Sequence, residues 1–275
     1  HMSASSVANI FDHHIQPNRR SLPECLCFDE TYAFKSRDSD YVCVLLDYYD
    51  KKIVDVLPSR RKRYLVDYFY NIPLTERKKV KYVSFDMWCT YRDVSKLMFP
   101  NCICIVDKFH VLQELSRKVT RVRIDVMNQN NKIKDELIKK QRQLKQNQDS
   151  LSPEDDVKLK NAQRNYYLLK KFDFVLFSKD SRISDPNHER RFNRVLSRYC
   201  NLNDIYHMIL AIDPLLEEAV EIKDIIHLFY KNTLYKNAKK DLEDIIILCR
   251  SSHVKGLQDF SNTLTQWKQE IINSF

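Results

Sequence analysis

The strongest constraint on this chain is a change of hydrophobic period near Val111, with short strand-like runs before it and helical spacing after it. Three strand-like runs come first: Cys25–Phe34, Tyr41–Tyr48 and Lys52–Leu57, with Tyr49–Lys51 as a tight turn and Pro58 as a stop. Ser59–Ile72 carries Tyr64, Leu65, Tyr68 and Phe69 at helical spacing and is halted by Pro73. Val80–Met87 reads as a fourth strand, Tyr91–Met98 as a short helix before Pro100, and Cys102–Asp107 as a fifth strand. Three strands, helix, strand, helix, strand predicts a meander followed by right-handed crossovers, hence a mixed sheet with helices on its faces.

The remainder is expected to be helical. Val111–Gln148 predicts one long charged helix, Ser150–Pro153 a turn with Ser152 and Asp155 as a capping box, and Pro153–Lys171 a second helix. Together they form a long helical hairpin. Further helices are predicted at Pro186–Tyr199, Leu202–Ile212, Pro214–Asn237, Lys239–Ser251 and Val254–Asn273. The fold class is therefore α/β plus all-α, a five-stranded mixed sheet followed by a large helical insertion.

Two aspartates carry most of the chemistry. Asp29 and Asp86 each end an apolar strand, where a carboxylate is costly unless a metal or a cation neutralises it. In a ribonuclease H-like sheet the first and fourth strands are neighbours, which would bring the two acids together as a paired-carboxylate metal site. Glu30 alternates away from Asp29 and is expected on the other face, supporting the site through a nearby Arg or Lys. Asp47 falls at the far end of an antiparallel second strand and is left out. Asp107 and His110 either flank the metal site or serve structurally, Asp107 as a helix cap and His110 packed and satisfied; the structural or supporting role is favoured. Trp88 is read as packing beneath the site rather than as a wedge for a flipped base.

Composition narrows the partners. Forty-six Lys and Arg against thirty-seven Asp and Glu give a formal charge of +9, which favours a polyanion such as nucleic acid. Basic residues cluster at Arg60, Arg61, Lys62 and Arg63, at Arg77–Lys81, at Arg117, Arg121 and Arg123, and at Arg190–Arg198. The last two clusters have aromatic or apolar neighbours, consistent with helices that grip a duplex on one face, and residues of the first and third are taken as candidate DNA contacts. A single glycine, Gly256, excludes Gly-rich phosphate loops. The eight cysteines include no CxxC pair, and the alternating pairs 25/27 and 102/104 predict buried thiols in a reducing compartment. A zinc site from His13, His14, Cys25 and Cys27 fits no common spacing. No run is long and apolar enough for a membrane helix, and His1 and Met2 look like a tag scar.

The runs FDE, LLDYYDKKIVDVLPSR, VSFDMWCTY and FPNCICIVDKFHVLQEL together resemble the ISL-type DDE transposases of bacterial insertion sequences. Asp29-Glu30, Asp86-Met87-Trp88 with Tyr91, and Asp107-Lys108-Phe109-His110 stand at the family's motif positions. The resemblance implies a ribonuclease H-like enzyme that cleaves and transfers DNA strands. Asp29 and Asp86 would be the first two acids, holding two Mg2+ or Mn2+ ions. It further implies double-stranded DNA and a second copy of the chain as partners, no membrane, and a cytoplasmic, nucleoid-associated bacterial setting.

The family's third acid is a glutamate in an NG..EG.N-like motif, which does not occur in the sequence. Glu270 could stand in, but the spacing of Leu264, Trp267, Ile271 and Ile272 makes it a polar-face residue. The expectation is a truncated, inactive piece: residues 1–20 a scar and the tail of a DNA-binding region, 21–125 the first part of the catalytic core, 126–275 the helical insertion. The alternative is a non-catalytic nucleic-acid-binding or dimerising module on the same fold. A nuclease acting on RNA–DNA hybrids is disfavoured by the large helical block.

Overall fold

The computed structural model describes residues 19–32, 41–178 and 181–275. His13 and His14 lie outside the described residues, as do the last two positions of the expected first strand. The chain divides into two compact units, one holding the described residues as far as His110 together with Gln269–Ser274, the other Val111–Lys268 with Phe275.

In the first unit, β1 (Cys25–Tyr32), β2 (Tyr41–Asp47), β3 (Lys52–Leu57), β4 (Tyr82–Phe85) and β5 (Ile103–Val106) form one sheet in the order β3-β2-β1-β4-β5. The meander β1–β2–β3 is antiparallel, while β4 lies parallel to β1 and β5 parallel to β4. This is the expected mixed sheet. Asp47 pairs with Leu26 at the far end of β1 from Asp29, and its carboxylate accepts the Tyr49 and Asp50 amides to tie the turn. Lys51 adopts φ 55° there, a left-handed position filled without glycine.

Helices α1 (Lys62–Tyr70), α2 (Leu74–Arg77) and α3 (Cys89–Met98) connect these strands. Alternation along β1 turns Leu26 and Phe28 to one face, both buried. Phe28 stacks on Phe69 of α1 at 5.6 Å and meets the edge of Tyr91 of α3 at 5.2 Å, and Phe99 closes the cluster 5.0 Å from Phe69. Pro73, expected only to stop a helix, also starts α2, because its carbonyl accepts the Glu76 and Arg77 amides. Of the paired cysteines, Cys25 and Cys104 are buried as predicted, whereas Cys27 and Cys102 are only half-buried, and all eight cysteines are free thiols.

The second unit is mainly helical. The long α4 (Lys108–Gln146) begins in the first unit, and α5 (Pro153–Lys171) follows a turn in which the Ser152 hydroxyl caps the Asp155 amide. Lys140 pairs with Asp155 at 2.6 Å, Asn165 donates to Asn130 at 3.1 Å, and Arg123 donates to the Leu169 carbonyl at 2.7 Å. As residue numbers fall on α4 they rise on α5, so the two run antiparallel over these contacts. Next come α6 (Ser181–Ser184), α7 (Leu202–Leu210), α8 (Pro214–Asn232), α9 (Tyr235–Ser251), α10 (Lys255–Gln266) and α11 (Lys268–Ile272).

Three expectations about the helical part need correction. Pro186–Tyr199 is not a helix: β6 (Arg191–Asn193) and β7 (Arg198–Cys200) form an antiparallel hairpin. Phe192, Leu196 and Tyr199 imitate helical spacing, yet the Asn193 carbonyl oxygen captures the Val195 and Leu196 amides and Ser197 turns to φ 51°. The full reciprocal capping box belongs not to Ser152 but to Asn201 and Asp204, whose side chains each accept the other's amide. The last expected helix breaks at Trp267, which shifts the phase of α11 and buries Glu270. Glu270 is therefore no solvated polar-face residue; it pairs with Lys96 at 3.1 Å and Arg92 at 3.9 Å, both on α3.

Arg123, expected to face DNA, is buried and lies 3.9 Å from Asp173 as well as bonded to Leu169. Its loss would strand a carbonyl and open a gap between α4 and α5. Arg123→Ala is expected to lower unfolding free energy by about 2 kcal/mol in urea titration without weakening duplex DNA binding; unchanged stability with weaker binding would reverse that assignment.

Candidate active site

Parallel pairing of β1 with β4 runs Cys25↔Tyr82, Leu26↔Val83, Cys27↔Ser84. Asp29 lies two residues beyond Cys27, and Asp86 two beyond Ser84. The register thus carries both acids to the same end of adjacent central strands, on the alternation opposite Phe28 and Phe85. Asp29 is exposed, and one of its oxygens accepts the Glu30 amide at 2.8 Å.

Asp86 is different. One of its carboxylate oxygens is buried with no hydrogen-bond partner. Burial pushes its pKa above the ordinary carboxylate value, and the charges of Glu30 and Asp29 push the same way, while His110 and Arg60 oppose them. A half-buried carboxylate amid two further acids is a place where a cation would be favoured.

The surrounding residues are held by identifiable contacts. Glu30 forms an ion pair with Arg60, the kind of partner expected for it. Arg60 also lies 4.4 Å from the Tyr41 ring and 4.9 Å from the Trp88 ring, and Trp88 meets the edge of Tyr91 at 4.7 Å. This shelf was not visible in the sequence, where Arg60 read as one of four adjacent cations. Glu30 lies opposite Cys43 of β2 and so alternates away from Asp29 as expected, while its charge also acts on Asp86. Asp107 caps α4 by accepting the Phe109 amide at 2.9 Å. His110 is half-buried, and its charge acts on Asp86.

The other flagged cations are more exposed. Lys62 pairs with Asp93 at 2.7 Å, Arg63 is 4.0 Å from Asp67, and Arg61 is exposed. Arg117 and Arg121 lie beside Glu114 and Asp125 on their own helix. Among the described residues, no three His, Cys, Asp or Glu side chains converge as a complete metal-ligand set. Asp29 and Asp86 offer hard oxygen donors suited to Mg2+ or Mn2+, but as a partial set.

The model of the DDE transposase family of ISL3 type, described as a transposase, matches residues 26–275, and the chain belongs to that family. No curated protein and no solved structure gives a significant match.

The raised pKa fixes a pH signature. A carboxyl group harder to ionise when folded favours the folded state while protonated, and that contribution fades as pH rises through its folded pKa. Asp86→Asn is expected to raise stability at neutral pH by about 1 kcal/mol, a modest share of the cost of a buried atom without a partner. It should also flatten the fall in stability above the ordinary carboxylate range, as measured by urea unfolding across pH. A destabilised variant with the same pH profile would contradict this.

Proposed function

We propose that this transposase acts by metal-dependent DNA cleavage and strand transfer, with Asp29 and Asp86 as two carboxylates of its active site. The carrying observation is the β1–β4 register, which gives the two acids equivalent positions on neighbouring parallel strands. The sheet order β3-β2-β1-β4-β5 supports a ribonuclease H-like reading of the first unit. The antiparallel contacts of α4 and α5 support reading those helices as a helical hairpin.

Asp29 and Asp86 would hold the divalent ion, Mg2+ or Mn2+. When bound, it would supply Lewis-acid activation of an attacking oxygen and charge neutralisation at the phosphate. The unpartnered Asp86 oxygen is the donor best suited to it, since the ion would replace the missing hydrogen bond. Arg60 keeps the acid cluster from being purely negative, and the Glu30–Arg60 pair fixes Trp88 beside the site. The resemblance implies a third acid beside Asp29 and Asp86, so these two carboxylates would be part of the ligand set. Glu270, neutralised by Lys96 and Arg92, is poorly placed to substitute.

Duplex DNA is the substrate in this reading, with Arg61, Lys62 and Arg63 beside the site, and Arg117 and Arg121 on α4, as candidate phosphate contacts. The setting would be the bacterial cytoplasm, near the nucleoid. Among the described residues no helix is long and apolar enough to cross a membrane.

Titration calorimetry with Mn2+ tests the site. Wild type is expected to bind with an affinity that falls as pH drops through the Asp86 pKa, because protons compete for the same oxygen. Asp29→Asn and Asp86→Asn should each cost at least about tenfold. Binding that survives both substitutions would overturn the assignment.

A further inference from the structure

Residues 190–198 hold four arginines, Arg190, Arg191, Arg194 and Arg198, and they fold as the β6–β7 hairpin. Its register pairs Arg191 with Cys200, Phe192 with Tyr199, and Asn193 with Arg198. Alternation gives the ribbon two different faces. On one face Cys200 is buried and Asn193 donates to the Tyr167 hydroxyl at 3.2 Å, and Arg191 and Arg198 alternate onto that side with exposed side chains at the ribbon's edges. On the outer face Phe192 and Tyr199 are 55% and 66% exposed, their ring centroids 5.3 Å apart. Val195, in the turn, is also exposed.

The tip is built rather than loose. Asn193 holds the turn through two backbone amides, and the Asn201 side chain donates to the Pro186 and His188 carbonyls at the base. Arg190 is neutralised by Asp204 at 2.8 Å. Arg194 and Arg198 have no carboxylate within 4 Å among the described residues, and Arg191 reaches only the exposed Glu189 at 3.4 Å. A cavity of about 320 Å³ adjoins the hairpin, lined in part by Phe172, His188, Glu189 and Ile205.

A hydrogen-bonded two-stranded ribbon with under-neutralised arginines along it and a solvent-facing aromatic pair matches one kind of ligand. A two-stranded ribbon fits the major groove of duplex DNA, arginines bind phosphates, and exposed apolar side chains contact base edges or wedge between steps. We propose that the β6–β7 hairpin is a duplex-DNA contact of this transposase, with Arg191, Arg194 and Arg198 on phosphates and Phe192 and Tyr199 against the groove. This rests on the reading that the chain acts on duplex DNA, and adds a contact surface apart from Asp29 and Asp86. A protein partner would account for the aromatic pair but leave the arginine excess without a role.

Fluorescence anisotropy of the full chain with a labelled mixed-sequence duplex of roughly 30 bp, across about 50 to 200 mM KCl, tests it. Arg194→Ala/Arg198→Ala should weaken binding about tenfold and reduce the logarithmic salt slope by about two. Phe192→Ala/Tyr199→Ala should weaken binding by a similar factor of about ten with the slope unchanged. Arg194→Gln alone, at an exposed turn position, reads the same slope change at half size should a double variant fold poorly. Wild-type affinity and slope in these variants would overturn the inference while leaving the transposase reading intact. A wild-type chain that does not bind the duplex would overturn both. Loss of self-association in light scattering, with DNA affinity unchanged, would overturn the inference in favour of a contact between copies.

Discussion

The first unit depends on the parallel pairing of β1 with β4. Without it the meander β1–β2–β3 would be a three-stranded antiparallel sheet with a bare edge, and β4–β5 a separate pair. The pairing is specified by burial: Leu26 and Val83 sit opposite one another and are both inaccessible to solvent, so a one-residue slip would turn Leu26 and Phe28 outward. The same register that protects the core sets Asp29 and Asp86 on adjacent strand ends. Core packing and the proposed chemistry therefore share one determinant.

Around that determinant the charges are arranged unevenly. Asp86 has an oxygen buried without a partner, while nearby charged groups are bound to one another or to rings: Glu30 to Arg60, and Arg60 against Tyr41 and Trp88. A site optimised for stability would give Asp86 a donor. Leaving the oxygen unpaired costs stability, and such an exception among buried polar atoms calls for a reason other than packing. Glu270 shows the contrasting solution, since its buried carboxylate is held by Lys96 and Arg92 on α3. A half-buried acid and a buried one in the same unit thus have opposite treatments.

How much of this the sequence showed follows from the range of the signals. The five strands, the turn at Tyr49–Lys51 and the cap at Asp107 rest on local periodicity and local hydrogen bonding, and all are legible. The β6–β7 hairpin was missed because Phe192, Leu196 and Tyr199 match a helical stripe as well as they match alternation; the Asn193 turn that decides between them acts through its side chain. Arg123 read as one more surface cation because burial by α5, 46 residues away, leaves no mark in the surrounding charges. Glu270 was misread because a break at Trp267 shifts the helical phase by an amount that no periodicity count anticipates. Glu30 and Arg60 stand 30 residues apart, so their pairing could be anticipated only as a partner of unspecified position.

The proposed chemistry requires Asp29 and Asp86 to share a divalent cation. Crystals of the chain soaked in Mn2+ and measured at the manganese absorption edge examine this. The expected result is an anomalous peak in contact with both carboxylates, with the unpartnered oxygen of Asp86 among the ligands. Carboxylates turned apart by more than about 8 Å, too far to hold metal ions about 4 Å from each other, with no peak between them, would contradict it.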